Sequence, residues 1–273
     1  MKLNYENLLE TSIKATYWAG QEILRQYKTD YETIIKPDGS PVTSADLAAH
    51  NILMKYLEPT EIKVLSEEGE HFTHEFRQNN PYWCIDPIDG THDFVNKTDE
   101  FCVSVGLIDE NTSKIGILYA PALDLFYFAA EGMGSFKFIG DLNNFESSFE
   151  YLNFMEFLLD QSDALPSQAS PKKPLFMASR YHRNPEIERY ILDLRKKHPA
   201  LEIVTMGSAI KLALMAERKA HEYLRYTHFN FWDVAGGHAL CKYAGLKLYF
   251  PHSDVEINYE DENMRIKGYA MKW

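Results

Sequence analysis

The sequence predicts an α/β protein in two parts, an N-terminal α+β unit with a mostly antiparallel sheet and a C-terminal α/β unit in which strands and helices alternate. Three observations predict it. Helix-period segments open the chain, a series of short strand-like runs separated by turn residues follows, and beyond residue 174 strand-like and helical runs take turns. The 273 residues, 45% of them hydrophobic and 14% aromatic, suffice for a sizeable core and more than one subdomain.

Leu8, Ile13, Ala15, Ala19, Ile23 and Leu24 recur at helical spacings and set an amphipathic first helix over about 3–27. A second helical stretch, 47–57, follows Asp38-Gly39-Ser40-Pro41-Val42-Thr43-Ser44-Ala45-Asp46. There Ser44 is the expected N-cap, and Asp46 is a first-turn acid favoured by the helix dipole. Ile62-Lys63-Val64-Leu65 reads as a short strand that stops at Ser66-Glu67-Glu68-Gly69, and Trp83-Cys84-Ile85 as one that stops at Asp86-Pro87-Ile88-Asp89-Gly90-Thr91. Runs at 101–108, 114–120, 125–130 and 135–139 read as consecutive strands. From 141 to 173 the periodicity fails and the stretch ends in Ser-Gln-Ala-Ser-Pro-Lys-Lys-Pro, which predicts an insertion and linker. Then come strand 175–178, helix 185–196, strand 202–206, helix 208–218, a segment at 221–226, helix 233–243 with Gly245 as its C-cap, and strand 246–250. The expected division is 1–140 as a metal-binding α+β subdomain, 141–173 as the insertion, and 174–273 as an α/β substrate-recognition subdomain.

The chemistry starts at Asp86-Pro87-Ile88-Asp89-Gly90-Thr91. An apolar run ending in acids sets carboxylates at the C-terminal edge of a strand, where open α/β sheets bind ligands. The fixed φ of Pro87 bends the chain so that Asp86 and Asp89 can face one point, and Gly90 allows close backbone approach to a ligand. A helix beginning near Thr91 would turn its N–H groups toward an anion, so cation and phosphate could meet over one segment. Asp-Gly is also a hairpin signal, so two further acidic stations decide the matter. One is Glu67-Glu68, at the end of the 62–65 strand. The other is Asp233, a candidate N-cap of the 233–243 helix whose second oxygen can reach a cation. An all-oxygen set of Asp, Glu, carbonyl and Thr suits magnesium better than zinc.

Taken together, Ser40-Pro41-Val42-Thr43, Leu65-Ser66-Glu67-Glu68, Trp83 through Thr91, Tyr119-Ala120-Pro121, Ala178-Ser179-Arg180, Gly207-Ser208-Ala209-Ile210-Lys211 and Trp232-Asp233 span nearly the whole chain. In order and type they resemble the lithium-sensitive, magnesium-dependent phosphatase superfamily of inositol monophosphatase and fructose-1,6-bisphosphatase, and most of all its 3'(2'),5'-bisphosphate nucleotidase branch. The resemblance implies a layered α-β-α-β-α fold and two or three magnesium ions. It implies that Glu67, Asp86 and the carbonyl of Ile88 hold one ion while Asp86, Asp89 and Asp233 hold a second. Glu67, with Thr91 and Asp46 behind it, would orient and deprotonate the attacking water, with Glu68 an outer candidate. Gly90 and Thr91 would offer N–H groups to the phosphate. Ser208, Lys211, Arg180 and Arg225 are the further substrate contacts expected.

The activity implied is hydrolysis of the 3'-phosphate of adenosine 3',5'-bisphosphate to AMP and phosphate, with 3'-phosphoadenylyl sulfate as a second candidate substrate. His92-Asp93 stands where the nucleotidase branch usually carries Lys-Glu and the inositol branch Thr-Asn. The leaving-group side is therefore open between a nucleotide and an inositol or sugar phosphate. The rival outside the enzymes is a metal-dependent anion-binding scaffold, against which the five intact residues Glu67, Asp86, Asp89, Thr91 and Asp233 speak.

Composition narrows the rest. Lys plus Arg is 28 against 40 Asp plus Glu, a formal net charge of −12, which argues against nonspecific nucleic-acid binding and requires local cations to draw an anionic substrate. Three scattered cysteines give no disulfide framework, the first residues lack the apolar core of a signal peptide, and no apolar run is long enough to span a bilayer. A cytoplasmic location is the default, with the oligomeric state open and a homodimer among the options. Ser208-Ala209-Ile210-Lys211 fits S-x-x-K but lacks the companion S-D-N and K-T-G, and no H-E-x-x-H occurs.

Overall fold

A computed structural model of the chain describes residues 3–29, 31–35, 39 and 41–273. Asp38 and Ser40, part of the motif ahead of the second helix, lie outside the described residues. Helix α1 (Tyr5–Tyr27) is followed by an antiparallel pair, β1 (Thr33–Ile35) and β2 (Pro41–Thr43), and by α2 (Ser44–Leu57). The large sheet contains β3 (Val64–Ser66), β4 (Tyr82–Asp89), β5 (Cys102–Asp109), β6 (Thr112–Ala120), β7 (Leu125–Ala130), β8 (Gly134–Phe138) and β9 (Ser162–Ala164), in that spatial order. Helices α3 (His74–Asn79), α4 (Thr91–Val95) and α5 (Phe154–Asp160) interrupt it. Among the described residues, only the β3–β4 neighbours in this sheet run parallel.

The second half contributes β10 (Leu175–Ser179), α6 (Pro185–Lys197), β11 (Glu202–Met206), α7 (Ile210–Ala216), β12 (Glu222–Arg225), β13 (Phe229–Asn230), α8 (Ala235–Tyr243), β14 (Arg265–Ile266) and β15 (Tyr269–Lys272). Its sheet has the order β11-β10-β12-β15, with β10 parallel to both neighbours and β15 antiparallel to β12.

Period-two alternation builds the layers, since successive strand side chains point to opposite faces. On β4, Trp83 and Ile85 enter a core with Leu9, Ile13 and Ile23 of α1 and Leu53 of α2, whereas Tyr82 and Cys84 enter a second core with Ala213 of α7 and Leu240 of α8. On β10 and β12, Met177 and Tyr223 face that second core, while Phe176, Ala178 and Leu224 pack against Ile187 and Ile191 of α6. The order is therefore α1/α2, large sheet, α7/α8, small sheet, α6, the five layers the resemblance implies. The second core takes Tyr82, Leu118 and Tyr127 from the large sheet and Tyr223 and Met271 from the small one, so the chain's two halves share it.

Three local expectations differ from the structure. The cap of α2 is Thr43 and not Ser44: Thr43 is extended, its N–H and Oγ1 contact Asp46 Oδ2 at 2.7 and 2.6 Å, and Ser44 instead donates to Gln26 Oε1. Residues 142–164 form a run of 3-10 turns, α5 and β9, with Phe145, Phe154 and Leu158 buried under α1 and β9 paired to β8. Elements this short carry too few turns for a helical period to register, which is why the stretch reads as linker. The expected strand at 246–250 makes only single bridges, from Tyr249 to Glu256 and Ala270. No helix among the described residues is long and apolar enough to cross a membrane.

One contact fixes the height at which the chain's last long helix rests on the large sheet. Helix α8 sits on β5 and β6 where their side chains are smallest: a Cβ at Gly106 would lie 2.7 Å from Ala235, and one at Gly116 would run into the Gly236 carbonyl. Ser113 Oγ donates to Ala235 O at 2.8 Å and Ser104 Oγ to Trp232 O at 3.3 Å. Backbone therefore packs on backbone, with hydroxyls taking up carbonyls at the start of the helix. A Gly116→Ala substitution is expected to lose about 1–3 kcal/mol of stability, the usual cost of overpacking a filled core. Urea denaturation would measure it, and an unchanged midpoint would contradict the close seating.

Candidate metal-assisted active site

Strands β3 and β4 run parallel, so their C-terminal ends lie side by side and bring Glu67 next to Asp86; Glu67 N–H donates to Ile85 O at 3.2 Å. Residues three apart on a regular strand point to opposite faces. Asp86 and Asp89 escape that rule because the register shifts between them: Asp86 pairs with Ser104 and Asp89 with Cys102, three residues set against two. Pro87 has no N–H to give the ladder, and the extra residue restores Asp89 to the side of Asp86.

Asp233 arrives from the other direction, ahead of α8. The helix begins at Ala235 with Val234 at the cap position, so Asp233 is not its N-cap; its Oδ2 accepts from Asn230 N–H at 2.8 Å and closes the turn after β13. The seating of α8 on the glycine surface then carries Asp233 to the acids of β4. Candidate ligand oxygens of Glu67, Asp86 and Asp233 lie within 4.8 Å of one another. Asp89 lines the same cavity with its carboxylate turned to the N–H of Ala209. Thr91 Oγ1 is 3.1 Å from the Ile88 carbonyl and 3.4 Å from Asp46 Oδ1. Gly90 has φ +96°, and a Cβ there would meet Ser208 Cβ at 3.0 Å and Glu100 O at 3.1 Å, so only glycine fits both the turn and the space.

Electrostatics suit the cluster to holding a cation. Burial first, then Glu67, Asp89 and Asp233, pushes the Asp86 carboxyl well above the usual carboxylate range. Burial and the neighbouring Asp89 raise Asp233 to about 7, while Arg225 pulls against them. Burial raises Asp89 to about 6 against the charge of Lys211, and burial raises Asp46 to about 6 although Thr43 donates to it. Carboxylates crowded in a low dielectric favour the neutral form unless a cation joins them. The donor set is entirely oxygen, three carboxylates with Asp89 and the Ile88 carbonyl beside them, which fits a hard divalent ion.

The cavity holds about 540 Å³. Lys211 and Arg225 line it as well, and their charges act on Asp89. Lys211 is buried and donates to the Ser208 carbonyl; Arg225 lies over the Phe229 ring at 4.8 Å with its Nε 3.1 Å from Thr227 Oγ1. Ser208 and Thr91 line the cavity as the sequence predicts, and Asp46 stands behind Thr91. Arg180 does not line it: its guanidinium pairs with Glu100, 3.6 Å from Asp93. Glu68 likewise is not a lining residue. His182 lines the cavity, but burial, Arg225, Lys211 and His92 lower it to about 4, so it is neutral near pH 7. Sequence reasoning missed Tyr223, Phe229 and Tyr269, which also line the space. Tyr269 lies in a strand too short to leave a periodic signal, and nothing in its local sequence marks it.

A five-layered α/β fold that gathers carboxylates at strand ends in a cavity also lined by Lys211 and Arg225 has the architecture of a metal-assisted phosphatase. The chain belongs to the inositol monophosphatase family, whose profile matches residues 4–262. Among curated relatives, the 3'(2'),5'-bisphosphate nucleotidase CysQ of Shigella flexneri is 34% identical over 236 residues, 85% of each chain. Among solved structures, CysQ from Bacteroides thetaiotaomicron is 32% identical with a TM-score of 0.88, covering 99% of this chain and 98% of its own. An inositol monophosphatase from Anabaena shares the fold, at 20% identity and a TM-score of 0.70 over 99% of this chain and 92% of its own.

The raised carboxyls make stability pH-dependent in a definite direction. A folded state that holds protons more tightly than the unfolded chain is stabilised at low pH and loses that contribution as pH rises through the folded values, here about 6 for Asp89 and about 7 for Asp233. In chelator the melting temperature is expected to fall between roughly pH 5 and pH 8, and added magnesium is expected to raise it most at the upper end. Scanning calorimetry checks this; a magnesium shift equal at both ends would contradict it.

Proposed function

We propose that this protein is a magnesium-dependent phosphomonoesterase that removes the 3'-phosphate of adenosine 3',5'-bisphosphate, releasing AMP and phosphate, with 3'-phosphoadenylyl sulfate as a related substrate and the cytoplasm as its setting. The observation that carries this reading is the one cavity lined both by the carboxylate cluster and by Lys211 and Arg225, with room for a nucleotide. The CysQ relatives support the same substrate.

Glu67, Asp86, Asp89, Asp233 and the Ile88 carbonyl would hold two or three magnesium ions, which when bound neutralise phosphate charge and lower the pKa of water. The rest is the work of the chain. Thr91 Oγ1, 3.4 Å from Asp46 Oδ1, relays the proton of the attacking water, and Asp46, raised to about 6, receives it near neutral pH. Glu67 orients that water from the other side. The N–H groups of Gly90 and Thr91 take phosphate oxygens. Lys211, Arg225 and the Ser208 hydroxyl grip the second phosphate, and Tyr223, Phe229 and Tyr269 give the base an apolar surface.

A second reading, an inositol or sugar phosphate, draws on His92, which stands at the cavity in place of the lysine usual in the nucleotidase branch. Phosphate release from adenosine 3',5'-bisphosphate, 3'-phosphoadenylyl sulfate and inositol 1-phosphate, with and without magnesium, separates the two. Fastest turnover is expected on the bisphosphate, and equal rates on inositol 1-phosphate would overturn the substrate assignment. Asp89→Asn is expected to lower kcat about 10²–10³-fold, as loss of one charge-stabilising group does, with the fold intact by circular dichroism. Thr91→Val is expected to cost about 10²-fold or more through the proton relay.

A further inference from the structure

We propose that Arg180 is a positioning residue: with Glu100 and Asp93 it clamps the two walls of the cavity at a fixed separation and does not itself bind phosphate. The proposal rests on the reading of the cavity as a phosphomonoester site. Two walls meet there. Residues 90–93 follow β4 of the large sheet, whereas 179–182 and 207–211 follow β10 and β11 of the small one, and among the described residues no strand ladder joins the two sheets. The width of the cavity between them has to be set by side chains.

Glu100, on the return from α4 to β5, does this from one wall. Its Oε1 accepts from Arg180 Nη2 at 2.5 Å, and its Oε2 accepts from Arg180 Nε at 3.2 Å and from Gly207 N–H at 2.5 Å. One carboxylate thus gathers both segments of the opposite wall. Asp93, fully buried, lies 3.6 Å from Arg180 Nε and accepts from Thr98 Oγ1 at 2.7 Å. A Cβ at Gly207 would run into its other oxygen. Arg180 N–H donates to Met206 O at 3.2 Å, tying the two small-sheet segments to each other.

The orientation of Arg180 argues the same way. Its neighbours Ser179, Tyr181 and His182 line the cavity, but the guanidinium turns away and presents its fork to both oxygens of Glu100. Such a bidentate fork fixes geometry as well as charge, which a lysine cannot do. Across the mouth the rings of His92 and Tyr181 stand 5.9 Å apart, one from each wall. A released clamp therefore loosens the grip on the leaving group while the carboxylate cluster keeps its arrangement.

The test is a double-mutant cycle on the full-length enzyme with Arg180→Ala, Glu100→Gln and the pair together. It is read on adenosine 3',5'-bisphosphate, or on whichever ester of the panel is turned over fastest, with inhibition by inorganic phosphate measured alongside. Each single variant is expected to raise KM about tenfold with kcat within about twofold, and the double variant no more than either, as for residues acting as one unit. The inhibition constant for phosphate is expected to stay unchanged. Arg180→Lys should behave like Arg180→Ala, and Arg183→Ala, which breaks the nearby exposed pair with Glu188, should change nothing.

A phosphate-binding Arg180 predicts the opposite pattern. Arg180→Ala would weaken phosphate inhibition, Arg180→Lys would retain it, and Glu100→Gln, by freeing the guanidinium, would tighten it. Any of these, or additive effects in the cycle, overturns the clamp. Loss of nucleotide preference across the panel would overturn the substrate reading instead, leaving the coupling between Arg180 and Glu100 measurable on the preferred ester.

Discussion

Glu67, Asp86 and Asp233 repel one another when ionised, and burial strengthens the repulsion. The rest of the molecule supplies the constraint. Parallel pairing of β3 and β4 sets Glu67 against Asp86, the bulge at Pro87 returns Asp89 to the same side, and the bare glycine surface of β5 and β6 lets α8 sink until Asp233 joins them. Each device is a backbone feature buried in the core. The functional carboxylates are thus held by packing that lies beneath them, and the electrostatic cost is carried by two hydrophobic cores that meet at the large sheet.

This arrangement explains the asymmetry of the cavity. Its acids come from the ends of β3 and β4 and from the turn before α8, whereas Lys211 comes from the short helix α7 and Arg225 from the end of β12. Lys211 is buried and anchored to the Ser208 carbonyl, and Arg225 rests on an aromatic ring, so both charges are fixed before any substrate arrives. In a protein of net charge −12, such fixed local cations draw an anion in against the overall field.

Much of this was legible in the chain. Acids at the ends of apolar runs marked Glu67, Asp86 and Asp89 because strand ends and turns leave a local signature, and strand-like runs separated by turn residues marked the strands of the large sheet. The five-layer order came from the family resemblance and matches the structure. What could not be read depended on contacts between distant segments. The cap of α2 shifted to Thr43 because Asp46 reaches back to it, and Asp233 lost its expected capping role to a turn with Asn230. Tyr269 and Glu100 acquire their surroundings only when the two sheets come together. Arg180 sat in a motif that suggested a phosphate contact, yet its side chain turns to Glu100, a choice that local sequence does not encode.

The strand formed by residues 162–164 has a consequence beyond closing the core. At the opposite rim, β3 is equally brief, each being three residues long. A free sheet edge is a template on which another polypeptide can continue the ladder, and its danger grows with its length. Here both rims offer a stranger only a stub, one of them bearing the exposed carboxylate of Asp163. Fibrillar growth by adding strand to strand finds almost no purchase on a sheet seven strands wide.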